Sequence, residues 1–107
     1  MTNVLKIDSL NRKLPSELRA IIHIFSADQE LKEKALPFVN IEKQEVNWFM
    51  LCGNHFGRGH SAAIMWARSI WFQKFSPGSD LFERSTSMDL NIRKSILEAL
   101  AIAWGLD

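Results

Sequence analysis

One short segment, Cys52–Ser61, holds most of the chemically active residue types in this chain of 107 residues. It contains the only cysteine, two of the three histidines and three of the five glycines. Cys52, His55 and His60 follow a C-x2-H-x4-H spacing, and zinc accepts sulfur and imidazole ligands. Because a fourth ligand and a second paired spacing are missing, these three residues are a weak candidate set and no metal is predicted.

A catalytic role for the Cys52 thiol is not expected. Cys52 ends the apolar run "WFMLC", and an apolar environment raises the pKa of a thiol. The residue is also expected near the C-terminal end of a helix, where the partial negative charge disfavours a thiolate. No carboxylates are spaced for acid–base work, so no catalytic residue is assigned.

The glycines around Arg58 suggest an anion site. Gly57, Arg58 and Gly59 precede a helix expected to begin near Ser61, and free N–H groups at a helix start together with a guanidinium bind phosphate or carboxylate. In this interpretation the ligand-binding residues are Arg58, His60, Ser61 and His55.

The competing interpretation of the same segment is purely structural, and we favour it. Two glycines let the chain reverse direction between two buried helices, and His60 or Ser61 caps the second helix. The spacing also differs from that of a phosphate-binding loop, since Asn54 and His60 stand where that motif needs glycine and lysine.

Apolar residues at helical spacing predict an all-α fold, a compact bundle of about five helices. The expected helices cover residues 14–26, 26–37, 40–56, 61–75 and 87–105, with a single helical turn at 80–85. The helix at 61–75 is apolar nearly all round and is expected to be central. Residues 1–107 are expected to form a single domain, with 1–13 as a short strand or N-terminal arm.

Local signals suggest where these helices begin and end. Ser26 and Gln29 fit a capping box, Asn40 is expected to cap the third helix, and Gly105 is expected to end the last one. That last helix carries two apolar stripes, which indicates that it packs on two surfaces. One stripe is Met88, Ile92, Ile96, Ala99 and Ala103, and the other is Leu90, Leu97, Ala101 and Trp104.

Charge and composition exclude several classes of function. Thirteen basic and twelve acidic residues give a net charge of +1, so nucleic acid is not expected as a partner. A single cysteine cannot form an internal disulfide. No secretory leader and no run of roughly 18 apolar residues is seen, which predicts a cytoplasmic protein with no membrane partner. No cofactor is predicted.

Large aromatic side chains point to self-association. Four Trp and seven Phe with no Tyr exceed what one small bundle needs, and a homodimer would bury them. Trp66, Trp71, Trp104 and Phe72 are the predicted interface residues. The leading hypothesis is a small interaction module without catalytic activity. The alternatives are a ligand-binding or metal-dependent enzymatic domain with its pocket at Cys52–Ser61, and an adaptor or inhibitor of an unidentified larger protein.

Overall fold

The computed structural model describes residues 14–107, and the strand or arm predicted at 1–13 lies outside them. The predicted all-α fold is confirmed. Within residues 14–107, two short 3-10 turns, at Leu36–Phe38 and Ser85–Ser87, and one two-stranded sheet accompany the α-helices. The helices are α1 (Ser16–Phe25), α2 (Gln29–Ala35), α3 (Trp48–Cys52), α4 (Arg58–Phe72), α5 (Leu81–Arg84) and α6 (Leu90–Ala103); the strands are β1 (Val39–Asn40) and β2 (Glu45–Val46).

Helix α1 packs against both α4 and α6 and supplies the most completely buried part of the core. Leu18, Ile21, Ile24 and Phe25 expose none of their surface, and burying a side chain of this size contributes about 1.5–3 kcal/mol. Helix α4, expected to be central, is amphipathic: it buries Ala62, Ala63, Ile64, Trp66, Ala67 and Ile70.

The start of α2 differs from the capping box predicted at Ser26. Ser26 is instead the C-cap of α1, and Asp28 is the N-cap of α2. The Asp28 carboxylate accepts a hydrogen bond from the backbone N–H of Leu31 at 3.0 Å. The carboxylate also lies at the positive end of the helix dipole, which favours aspartate over serine at this position.

The prediction of a helix at 40–56 is wrong over most of that range. A hairpin pairs Val39 with Val46, and only α3 is helical in this region. Asn40 does not cap a helix: its side-chain oxygen accepts from the backbone N–H of Lys43 within the hairpin turn. Gln44 adopts a left-handed φ of 56°, which interrupts any helix. Asn47 is the cap that α3 uses, through the N–H of Met50.

Helix α4 begins and ends three residues before the predicted bounds of 61–75. Its N-cap is Gly57, so His60 and Ser61 lie in the first turn and neither caps the helix as predicted. It ends where Gln73 turns left-handed at φ 58°. The single turn predicted near 80–85 is confirmed as α5. Ser85, the C-cap of α5, connects this turn to α4, because its hydroxyl accepts a hydrogen bond from the Trp66 indole N–H at 2.7 Å.

Helix α6 ends as the sequence predicts, at Gly105. Gly105 has a φ of 71°, and its N–H donates to Ile102 O while the N–H of Leu106 donates to Ala101 O. These two backbone hydrogen bonds form a Schellman motif, which needs a residue in the left-handed conformation and so favours glycine. The motif brings Leu106 back beside the last turn of α6.

Candidate functional site

Helix α4 starts in close contact with the segment before α6. A β-carbon at Gly59 would lie 2.7 Å from the backbone oxygen of Ser87, a distance at which atoms overlap. Glycine is therefore required at position 59 by the approach of two backbones and not by a special dihedral angle. This contact places the first turn of α4 beside the segment that leads into α6.

The imidazole of His60 faces the carboxylate that caps α2. His60 Nε2 lies 3.0 Å from Asp28 Oδ2, and the two side chains are 15% and 31% exposed. Glu30, in the first turn of α2, completes a group whose ligand atoms all lie within 4.8 Å of one another. Neither Asp28 nor Glu30 was singled out from the sequence, because nothing in the spacing predicts which helix ends meet.

Lys34 also shapes the electrostatics of this group, through Glu30. Its ammonium lies 2.8 Å from Glu30 Oε1. The hydrogen bond and charge of Lys34 hold the pKa of Glu30 below its usual value, and His60 adds a smaller effect in the same direction. Glu30 is therefore ionised at neutral pH and available as an acceptor.

A cavity of about 190 Å³ opens beside the group. Glu30 and His60 form part of its wall, with Gly57 and Gly59 of the glycine-rich segment and Asp89 from the start of α6. Three helix ends thus surround one small cavity, and its charged side chains are mainly acidic.

Arg58 and Ser61, two of the predicted anion ligands, line a different cavity of about 510 Å³. The same wall carries Asp80 and Glu83 as well as Arg84, so both signs of charge are present. The Ser61 hydroxyl donates to the backbone oxygen of Phe56 at 3.3 Å. His60 faces Asp28 instead, so its anionic neighbour is a side chain of its own chain.

The other two residues of the C-x2-H-x4-H candidate set do not join His60. Among the described residues, the group of metal-ligating side chains that lies within reach of a single ion contains neither Cys52 nor His55. Both are exposed. Desolvation raises the pKa of the Cys52 thiol, against a weaker opposing effect of Arg68. This direction agrees with the sequence argument against a thiolate nucleophile.

The four predicted interface residues divide between the core and the surface. Trp66 is buried, and Trp71 is partly buried against the core, with its ring 6.2 Å from that of Trp48. Trp104 and Phe72 are exposed. Trp66 makes edge contacts with the exposed rings of Phe75 and Phe82.

Within residues 14–107, no helix combines the length and apolar character that crossing a bilayer requires. No protein-family model, curated protein or solved structure matches this chain.

Proposed function

We propose that this chain is a non-catalytic interaction module that self-associates through the outward face of α6. The observation that carries the proposal is the exposure of three large apolar side chains on that face. Leu90, Leu97 and Trp104 are 78%, 70% and 69% exposed. The opposite face of α6 is already buried in the core through Ile92, Ile96 and Ala99.

The spacing on this face suits a partner helix. Leu90, Lys94, Leu97, Ala101 and Trp104, here named the outer stripe, alternate four and three residues apart. This alternation is the a/d pattern by which two helices pack side chains into each other's gaps. Leu106, also exposed, lies beside the end of the outer stripe because of the Schellman motif.

A second copy of this chain is the partner that the outer stripe fits best. In an antiparallel pair, Leu90 lies opposite Ala101 of the partner subunit, so a large side chain meets a small one. Lys94 then lies beside Leu97 and Glu98 of the partner subunit, so its stem is covered and its charge is matched. A parallel pair would place two Lys94 ammonium groups together. The antiparallel arrangement has a twofold axis perpendicular to the helices, so it forms a closed dimer of identical chains.

The expected association is weak. Helix α6 has 14 residues, a length of about 21 Å, and a pair of such helices falls near the lower limit of about 1,200 Å² for stable interfaces. We therefore expect a dissociation constant in the micromolar range, on the order of 1–100 µM.

Sedimentation velocity from about 1 to 500 µM tests the proposal with the full chain. The wild type should shift from monomer to dimer, and Leu97→Lys should stay monomeric. Phe49→Lys is the matched control, because Phe49 is 88% exposed but lies on α3, outside the outer stripe. A wild type that is monomeric throughout, or equal effects of the two substitutions, would rule the proposal out.

A separate experiment tests whether the two α6 helices pack antiparallel. In a Cys52→Ser background, Leu90→Cys and Ala101→Cys chains are mixed and oxidised gently. Antiparallel packing predicts a disulfide mainly between the two different variants. Disulfides mainly between identical chains would show a parallel pair.

A ligand pocket is the second candidate, favoured by the cavity that Arg58 and Ser61 line. An anion held there should raise the melting temperature of the wild type in phosphate or a dicarboxylate, and Arg58→Gln should remove that rise. An unchanged melting temperature in both anions would exclude this role.

A further inference from the structure

We propose that Asp28, Glu30 and His60 bind one divalent transition-metal ion of the zinc class. Their ligand atoms lie within 4.8 Å of one another, and they come from the ends of two helices, α2 and α4. The proposal is independent of self-association, because none of these residues belongs to the outer stripe of α6.

The kinds of ligand decide the class of ion. An imidazole favours zinc and its transition-metal neighbours, whereas calcium takes six to eight oxygen ligands and magnesium keeps an octahedral shell of oxygens. One imidazole and two carboxylates are three of the four ligands in a tetrahedral zinc site. The cavity of about 190 Å³ bounded by Glu30 and His60 offers room for a water molecule as the fourth.

The surrounding charge favours a cation. Asp28, Glu30 and Asp89 are carboxylates at or beside the cavity, and Lys34 is the basic side chain paired with Glu30. Lys34 is 44% exposed, and such surface ion pairs contribute little stability. A metal ion can therefore replace the ammonium at Glu30 without a large loss.

The existing contacts of Asp28 are compatible with ligation. The N–H of Leu31 and the imidazole of His60 both meet Oδ2, while a carboxylate accepts through two oxygens. The ion would take the place of the direct imidazole–carboxylate contact, and the helix cap at Leu31 would remain. Binding would thus connect α2 to α4 through the metal.

Calorimetric titration of the full chain with ZnCl₂, MgCl₂ and CaCl₂ tests the site. The variants are Asp28→Asn, Glu30→Gln and His60→Gln. Asparagine still caps a helix, and glutamine still donates a hydrogen bond, so these variants should melt close to the wild type without metal. The controls are His23→Gln and the double variant Cys52→Ser/His55→Gln, which remove the other potential soft ligands.

The expected result is one zinc ion per chain, with a higher melting temperature in zinc, for the wild type and both controls. The three site variants should lose both effects, and magnesium and calcium should not bind. The proposal is overturned if the wild type binds no zinc up to about 1 mM. Loss of binding only in the Cys52→Ser/His55→Gln variant would assign the metal to the glycine-rich turn. Tighter binding of calcium than of zinc would also contradict the proposal.

Discussion

The imidazole of His60 and the carboxylate of Asp28 meet across two helices, with Nε2 3.0 Å from Oδ2. The same carboxylate caps α2 through the N–H of Leu31. One side chain therefore caps the start of α2 and links that helix to α4. Through His60, the glycine-rich segment is thus paired with Asp28, a contact that the residues of the segment do not predict.

Asp28→Ala should destabilise the fold by about 1–2 kcal/mol, because it removes the helix cap as well as the contact to His60. Asp28→Asn should cost less, since asparagine caps helices nearly as well. Urea unfolding of the two variants beside the wild type measures the difference. Equal losses would show that the charge contact with His60, and not the cap, carries the stability.

Gly59→Ala should destabilise the protein by about 1–3 kcal/mol, because the new methyl group would overlap the backbone oxygen of Ser87 and force the segments apart. Gly57→Ser is the matched control. A β-carbon at Gly57 meets nothing within 4 Å, and a serine there can cap α4, so we expect a gain of up to about 1 kcal/mol. Thermal unfolding of both variants is the measurement. An unchanged stability of Gly59→Ala would contradict the close approach of the backbones at Gly59 and Ser87.

Lys94→Leu should tighten self-association by at least about tenfold, because it replaces the one charged residue of the outer stripe with an apolar one. Arg93→Leu is the comparison: its guanidinium donates to the backbone oxygens of Ser85 and Thr86, so it is held beside its own chain. We expect a much smaller change for Arg93→Leu. Sedimentation equilibrium gives both constants, and similar changes for the two would argue against the outer stripe.

The His23–Glu98 pair predicts a small acid-dependent loss of stability. His23 Nε2 lies 2.9 Å from Glu98 Oε1. The hydrogen bond from His23 holds the pKa of Glu98 below its usual value of 4.5, with smaller contributions from the charges of His23 and Lys94. Since the pKa is lowered by folding, this stabilisation is present above about pH 4.5 and is lost as the pH falls through the folded-state pKa.

NMR titration of the Glu98 carboxyl carbon tests this pair directly. In His23→Ala the pKa of Glu98 should rise toward its usual value, and stability should depend less on pH below about 4.5. An unchanged Glu98 titration in this variant would show that His23 does not hold the carboxylate.

The sequence by itself determined the helical class and several helix ends. Apolar spacing identifies two apolar stripes on α6, and Gly105 ends α6 because the left-handed turn there suits glycine. The exposure of one of these stripes could not be predicted, because only the packed fold shows which of two apolar faces meets the core.

The tertiary structure decided the rest. The segment after Asn40 has helical spacing, yet it forms a hairpin and the short α3, because a left-handed Gln44 and the pairing of Val39 with Val46 override weak local preference. The grouping of Asp28, Glu30 and His60 also has no local signal. Asp28 and Glu30 are neighbours at the start of α2, but His60 is far from them in sequence. His60 meets them because burial brings together helix ends that pack on one core, and burial does not determine which polar side chains will face each other.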